Sequence, residues 1–212
     1  MKIVFSGYDG KMGSKILEYL KINTKHEIID LINKDNEFPF KNISKADVVI
    51  DFSIASFTYE LACVCAKNKV SLISGTTNIS KQKQDELDKL FKENDTGMIL
   101  CPNFSKGINL INKISPLLSS SYKTFEIEET HHISKLDSPS GTALQLKSKL
   151  NKNINIYSKR KKHYNAVHKL ICKDEYEEFI IIHKVKNKFA YGDLVINAIN
   201  TIKTFKGLKN EI

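Results

Sequence analysis

The chain of 212 residues has no tryptophan, only four prolines and four cysteines, and a single arginine, Arg160, among 33 basic residues. Each scarcity excludes something. Arginine is the side chain that usually reads guanines and grips phosphates. A net charge of +9 carried almost wholly by scattered lysines therefore argues against a nucleic-acid partner. The one basic cluster, Lys159-Arg160-Lys161-Lys162-His163, reads as a solvated loop. Cys63-Val64-Cys65 is not a metal-ligand spacing, because on a helix the two side chains diverge by about 200°. With Cys101 and Cys172 they read as reduced structural thiols. No apolar run approaches the roughly 20 residues that span a bilayer. The opening MKIVFSGYDG lacks the apolar length and cleavage site of a signal peptide. A cytosolic protein with no membrane partner is expected, 41% hydrophobic and 27% charged.

What is present has an order. Short apolar runs at Lys2–Ser6, Glu27–Ile32, Asp47–Phe52, Val70–Ser74 and Met98–Cys101 alternate with amphipathic stretches. The stretches over 56–68 and 81–94 predict helices, the second capped by Ser80. This alternation predicts βαβ units and a parallel sheet covered on both faces. The pattern changes after Pro102. A helix over about 107–119, a half-exposed strand at Thr124–Thr130, a helix at Thr142–Leu150, a strand at Phe179–His183 and a last helix from Gly192 predict a smaller α+β unit. The fold class is thus α/β: a Rossmann-like dinucleotide-binding domain with a parallel sheet, plus a smaller α+β domain.

FSGYDGKMG places Gly7, Gly10 and Gly13 between the first strand and the first helix. Glycines there let backbone N–H groups approach a phosphate, and the helix N-terminus adds partial positive charge. The pattern is close to the dinucleotide fingerprint, with Tyr8 and Asp9 in its variable space. At the end of the second strand an acidic residue would select NAD and a basic one NADP. Asn33 offers no carboxylate and Lys34 could meet a phosphate, so the reading leans to NADPH over NADH, with Asp35 close by. Asp51-Phe52-Ser53, Gly75-Thr76-Thr77 and Cys101-Pro102-Asn103-Phe104 also end parallel strands, where ligands bind in open α/β sheets.

The densest stretch is EETHHISKLDSPSGTAL, residues 128–144. His131 and His132 are consecutive, so on a strand they point to opposite sides. Lys135 follows in a loop, and Pro139 sets a turn into Ser140-Gly141-Thr142, a helix start with free N–H groups suited to a carboxylate. Cationic groups beside such a turn imply an anionic substrate, and imidazoles imply proton transfer near neutral pH. A metal held by His131, His132 and Asp137 is not expected, since adjacent histidines rarely chelate one ion and no acidic or cysteine partner sits at zinc spacing.

EETHHISKLDSPSGTA resembles the signature of the dihydrodipicolinate reductase family, E-x-H-H-x-x-K-x-D-x-P-S-G-T-A, with Glu129, His131, His132, Lys135, Asp137, Pro139, Ser140, Gly141, Thr142 and Ala143 in register. SGYDGKMG, the GTT at 75–77, the NFS at 103–105 and HKVKNKFAYG at 183–192 resemble further family segments in the same order. The resemblance implies a two-domain reductase of the diaminopimelate–lysine pathway. It would use NADH or NADPH to reduce a cyclic unsaturated dicarboxylate to tetrahydrodipicolinate. His131 would be the catalytic proton donor or acceptor and Lys135 a second proton donor. His132, Ser140, Gly141 and Thr142 would hold the substrate carboxylates. Gly7, Tyr8, Asp9, Gly10, Lys11, Met12, Asn33, Lys34, Gly75, Thr76, Thr77, Cys101, Pro102, Asn103 and Phe104 would contact the dinucleotide.

On this reading residues 1–103 with 192–212 form the dinucleotide domain, and 104–191 the substrate and oligomerisation domain, with hinges near Phe104 and Gly192. Three departures stand out. Asn33 replaces a usual acid, Lys188 a usual arginine, and the 151–178 region is short and lacks an arginine-, glycine- and histidine-rich strand segment. The family is tetrameric and a homo-oligomer is expected. The rival reading is a dinucleotide-binding redox sensor without turnover.

Overall fold

The structure is a computed structural model that describes residues 1–212. Met1–Phe104 carries β1 (Lys2–Ser6), α1 (Gly13–Asn23), β2 (Glu27–Ile32), β3 (Val48–Asp51), α2 (Ala55–Lys67), β4 (Ser71–Ser74), α3 (Lys81–Glu93) and β5 (Gly97–Leu100). Ser105–Ala190 carries α4 (Lys106–Ser121), β6 (Thr124–His132), α5 (Gly141–Leu150), β7 (Asn155–Lys161), β8 (Val167–Lys173) and β9 (Glu178–Lys184). Tyr191–Ile212 then returns to the first unit with α6 (Gly192–Thr201) and β10 (Gly207–Lys209).

In the first unit six parallel strands lie in the order β10-β5-β4-β3-β1-β2. Apolar residues fill both faces, as a sheet covered on each side requires. Val4, Val49, Leu72 and Met98 pack with Leu61 of α2 and Phe91 of α3. Their neighbours Ile3, Phe5, Ile50 and Ile73 turn the other way, onto Leu17 of α1 and Val195 of α6. Each such fully buried side chain contributes about 1.5–3 kcal/mol of transfer free energy. Ser80 caps α3, its hydroxyl accepting from the Lys83 N–H at 3.4 Å.

The second unit is a mixed sheet in the order β7-β6-β8-β9. β7 runs parallel to β6, while β8 and β9 are antiparallel. α4 and α5 cover one face through Ile108, Ile111, Leu118, Ala143, Leu146 and Leu150, packed on Phe125, Ile127, Leu170 and Cys172. Two strands here depart from the sequence expectation. β7 contains Lys159, Arg160 and Lys161, so much of the expected solvated loop is a sheet edge with alternating exposure. The 151–178 stretch, for which no strand was expected, forms β7 and β8, neither of them rich in arginine, glycine and histidine together. Alternation in β7 is hidden because its inward positions include Ser158 and Arg160 rather than apolar side chains.

Candidate active site

On the helix-covered face of the second sheet, apolar rows give way within one pleat to a polar one. Ile156, Ile127, Leu170 and Ile181 stand side by side across β7, β6, β8 and β9. Two residues along, the same columns hold Ser158, Glu129, His168 and His183. The next position pairs His131 with Arg160. Glu129, His131 and His168 are all buried.

Glu129 is the hub. One carboxylate oxygen accepts from the Ser140 N–H at 3.0 Å and the Ser158 hydroxyl at 2.8 Å, with both terminal nitrogens of Arg160 at 3.4 Å. The other oxygen accepts from the Ser140 hydroxyl and lies 3.6 Å from His131 Nδ1 and 3.9 Å from His168 Nε2. Burial by itself would raise the Glu129 pKa, but the Ser140 and Ser158 hydrogen bonds outweigh it and hold the group below the usual value, ionised. Burial pushes His131 and His183 down and His168 down to about 4, with Glu129 opposing the shift at His131 and His168. All three are therefore held as neutral imidazoles. The His131 and His168 rings meet edge to face at 5.0 Å, and His168 stacks 6.0 Å from His183. His183 Nε2 meets the Ser105 hydroxyl, the N-cap of α4, at 2.9 Å.

One carboxylate oxygen and one nitrogen each of His131 and His168 lie within 4.8 Å of one another, a spacing a metal ion could bridge. The donor set fits a cation poorly, because Arg160 already neutralises Glu129 and Ser140 donates to the oxygen nearest both imidazoles.

The loop from His132 to Ser140 hangs from this hub. His132 ends β6 exposed, its Nδ1 meeting the Ser134 hydroxyl at 2.8 Å and accepting from the Ser134 N–H at 3.1 Å. Lys135 is paired with Asp137 at 2.9 Å. Ser140 is buried and caps α5, its hydroxyl accepting from the Ala143 N–H at 3.2 Å. At Gly141 nothing lies within 4 Å of where a Cβ would stand, and its N–H donates to the Asp137 carboxylate, so the first turn of α5 already holds one carboxylate. Arg160 donates to the carbonyls of Lys135 (3.2 Å) and Asp137. His131, Lys135, Ser140 and Gly141 are thus gathered around one carboxylate, while His132 points away from it.

The first unit holds the remaining predicted residues. Gly7 has φ +72, and its N–H donates to Ile32 O at 3.0 Å. A Cβ at Gly7 would stand 2.6 Å from the Phe52 carbonyl, and one at Gly13 only 1.9 Å from Gly7 O. At Gly10 the nearest atom would be 3.4 Å away. The turn is closed by backbone packing and left open at its middle glycine, which fits a dinucleotide phosphate. Tyr8 is half-buried against the core; Asp9 and Lys11 are exposed and Met12 precedes α1. Asn33 donates to the Asp9 carboxylate at 3.1 Å, and Lys34 is exposed next to it. At Gly75 a Cβ would stand 2.3 Å from the Phe52 ring.

Thr76, Cys101 and Phe104 are buried side chains, so they offer a ligand backbone rather than side-chain atoms. The Cys101 thiol, pushed up to about 11 chiefly by burial, donates to Asn103 O at 3.2 Å. Thr77 and Pro102 are exposed. Thr76 belongs to a knot the sequence reading missed. Asp51, fully buried at the end of β3, accepts from Ser6 (2.7 Å), Thr58 (2.6 Å), Ser74 (2.9 Å) and Thr76 (3.1 Å) hydroxyls. Also missed were the roles of Glu129, Arg160 and His168. No local pattern marks them, because their meeting depends on the pairing of β6 with β7 and β8.

A parallel sheet with a glycine turn, joined to a mixed sheet bearing a buried Glu–His cluster edged by the half-buried Arg160, defines a two-unit dinucleotide-fold protein. The family models "Dihydrodipicolinate reductase, N-terminus" and "Dihydrodipicolinate reductase, C-terminus" match residues 1–104 and 107–210. The chain belongs to the dihydrodipicolinate reductase family. A 4-hydroxy-tetrahydrodipicolinate reductase of Thermosipho africanus is 31% identical, over 100% of this chain and 99% of that protein. One of Dehalococcoides mccartyi is 32% identical over 68% of this chain, the match spanning 62% of the relative's length. A dipicolinate-bound dihydrodipicolinate reductase from Paenisporosarcina sp. TG-14 shares the fold, with TM-score 0.87 and 22% identity over 100% and 97% of the two chains.

Proposed function

We propose that the chain is a 4-hydroxy-tetrahydrodipicolinate reductase of diaminopimelate and lysine biosynthesis, acting in the cytosol. The net reaction converts the hydroxylated cyclic dicarboxylate, NAD(P)H and a proton to tetrahydrodipicolinate, NAD(P)⁺ and water. The observation that carries this reading is the gathering of His131, Lys135 and the first turn of α5, which already binds a carboxylate, around Glu129 in a chain of this family.

The glycine turn and the loops at Asn33–Lys34, Gly75–Thr77 and Cys101–Phe104 would hold the dinucleotide. Bound there, the reduced nicotinamide supplies a hydride. The rest falls to the chain's own groups. A substrate carboxylate would take the place of the Asp137 carboxylate at the first turn of α5, at the N–H groups of Gly141 and Thr142, while Ser140 stays bound to Glu129, and His132 would meet a second carboxylate. Without a substrate beside it His131 is neutral, because burial disfavours its charge. A dicarboxylate brings negative charge beside it, pulls its pKa back up and prepares it to donate a proton. Lys135, released from Asp137 by the arriving carboxylate, is the second donor.

The lean towards NADPH rests on Lys34, exposed where the 2′-phosphate would lie. One observation favours NADH instead: Asn33 holds the Asp9 carboxylate at 3.1 Å, so an acid borrowed from the glycine turn stands where the strand end has none. A homo-oligomer would form through the face of the second sheet opposite α4 and α5. Tyr157, Ile180 and Ile182 are 49%, 42% and 55% exposed there, beside the Glu126–Lys173 and Glu128–Lys169 pairs. Ile182→Glu should shift the species measured by light scattering towards the monomer; an unchanged mass would place the interface elsewhere.

The activity is tested by following NADPH and NADH absorbance while a coupled synthase generates the substrate from pyruvate and aspartate semialdehyde. Oxidation that needs the complete mixture supports the reductase. Cofactor binding without oxidation would instead support a sensor.

A further inference from the structure

We propose that Glu129 is a positioning residue, fixing His131 on one side and the first turn of α5 on the other, with Arg160 extending its hold to the loop that carries Lys135. The inference rests on the proton-transfer reading of His131 and Lys135, and it assigns work to two residues lying beneath the groups that would meet the substrate.

Stability alone gives no reason for a charge here. One pleat away the same columns hold Ile156, Ile127 and Leu170, and a row of apolar residues at 158, 129 and 168 would extend that core without any charge. Replacing a buried ion pair by well-packed apolar groups is often neutral or stabilising, whereas an incompletely paired buried carboxylate is costly. Glu129 is completely paired, and its partners are the parts of the site. Ser140 N–H and hydroxyl set where the α5 turn begins. Arg160 spans from Glu129 to the carbonyls of Lys135 and Asp137, a reach that needs a planar fork of donors. His131 Nδ1 is buried without a hydrogen bond and lies 3.6 Å from Glu129, so the carboxylate is the group that would hold this ring once it is protonated, with Nε2 left for the ligand.

The charge also acts on His131 directly. The titratable groups facing that ring are Glu129 on its own strand, Lys135 and Asp137 in the loop, Arg160 on β7 and His168 on β8, with His183 of β9 behind His168. Lys135 and Arg160 disfavour its protonation; Glu129 is the largest influence in the other direction. With the carboxylate removed, the two cations remain, and the imidazole must titrate at lower pH.

The test compares wild type with Glu129→Gln, nearly isosteric but uncharged. His131 is titrated by NMR on histidine-labelled full-length protein without substrate, and kcat, KM and the pH profile of kcat come from the coupled assay. Expected are a folded variant that still binds NADPH, a His131 titration moved to lower pH, and kcat reduced about 100-fold, with the His131 limb of the pH profile displaced in the same direction. A folded variant with wild-type titration and kcat would overturn the proposal. Should Glu129→Gln fail to fold, Arg160→Lys keeps the charge but cannot span the two loop carbonyls. It should raise the substrate KM about tenfold while kcat changes little, and an unchanged KM would overturn the proposal. A wild type that binds cofactor but does not turn over, with the NMR shift still present, would sink the reductase reading and leave the positioning of His131 standing.

Discussion

Glu129 on β6 and His168 on β8 are direct cross-strand partners, with Oε2 3.9 Å from Nε2, yet they do not form an ion pair. Burial and the neighbouring His131 hold His168 down to about 4, so at neutral pH the carboxylate faces an uncharged ring. The negative charge of Glu129 is answered by Arg160 alone, at the edge of the sheet. Two consequences follow, one for acid stability and one for what the sequence could disclose.

A histidine whose folded pKa lies below its unfolded value of 6.5 favours the unfolded chain as pH falls, because the unfolded form takes up the proton first. Stability should therefore decline from about pH 6.5 and level off, for this group, near pH 4. Lowering the pKa from 6.5 to about 4 corresponds to about 3 kcal/mol. His131 and His183, both lowered by burial, add to the same slope. Glu129, whose pKa is also lowered, contributes stability above its unfolded value of 4.5 that is lost only on further acidification. Urea unfolding at pH 7.5, 6 and 5 should show this decline, and His168→Gln should flatten it. Equal slopes in the two proteins would mean that His168 is charged in the folded state.

The alternating elements of the first unit were legible in the sequence because a doubly covered parallel strand is written as a continuous apolar run. Val48–Ile50 and Met98–Leu100 are examples, buried along their length. β7 and β8 were not, because their inward columns run from apolar to polar within one strand: Ile156, Ser158, Arg160 and Cys172, Leu170, His168. A periodicity argument counts apolar positions and loses a strand whose buried face becomes the site. The histidine–lysine–glycine stretch was legible as chemistry. That Arg160, some twenty residues further on, belongs to it depends on the parallel pairing of β7 with β6, which no local pattern encodes.

The glycine turn separates packing from binding. Gly13→Ala would drive a Cβ to 1.9 Å from the Gly7 carbonyl, a backbone atom that cannot yield. The cost should be about 3 kcal/mol or more, seen as a large fall in Tm. Gly10→Ala meets nothing closer than 3.4 Å and should change stability by less than about 1 kcal/mol. It should nevertheless weaken dinucleotide binding, measured by fluorescence of bound NADPH, since its methyl group occupies the open middle of the turn. Full affinity in Gly10→Ala would move the phosphates away from this turn.

Cofactor preference should divide between Lys34 and Asp9. Lys34→Ala removes the exposed cation at the end of β2 and should raise the NADPH KM about fivefold, the equivalent of about 1 kcal/mol for a surface phosphate contact, while leaving NADH unchanged. Asp9→Asn removes the carboxylate that Asn33 holds, and should weaken NADH more than NADPH. Parallel losses for both cofactors in both variants would show that neither residue reads the ribose.

The proton-transfer assignment makes a sharper demand, because His131 and Lys135 have different surroundings. His131 is buried with its Nδ1 towards Glu129, so His131→Asn keeps a polar side chain there that cannot titrate, at the loss of the ring contact with His168. Turnover should fall by about 10²–10⁴-fold, the usual worth of a positioned general acid, with NADPH binding and Tm near wild type. Lys135 is about one-third exposed and paired with Asp137, and its removal frees that carboxylate as well. Lys135→Met should therefore lower kcat and also raise the substrate KM, because the released Asp137 repels an incoming carboxylate. The double variant Lys135→Met/Asp137→Asn should recover KM but not kcat. Recovery of both would reduce Lys135 to a counter-ion for Asp137 and leave His131 as the one proton donor.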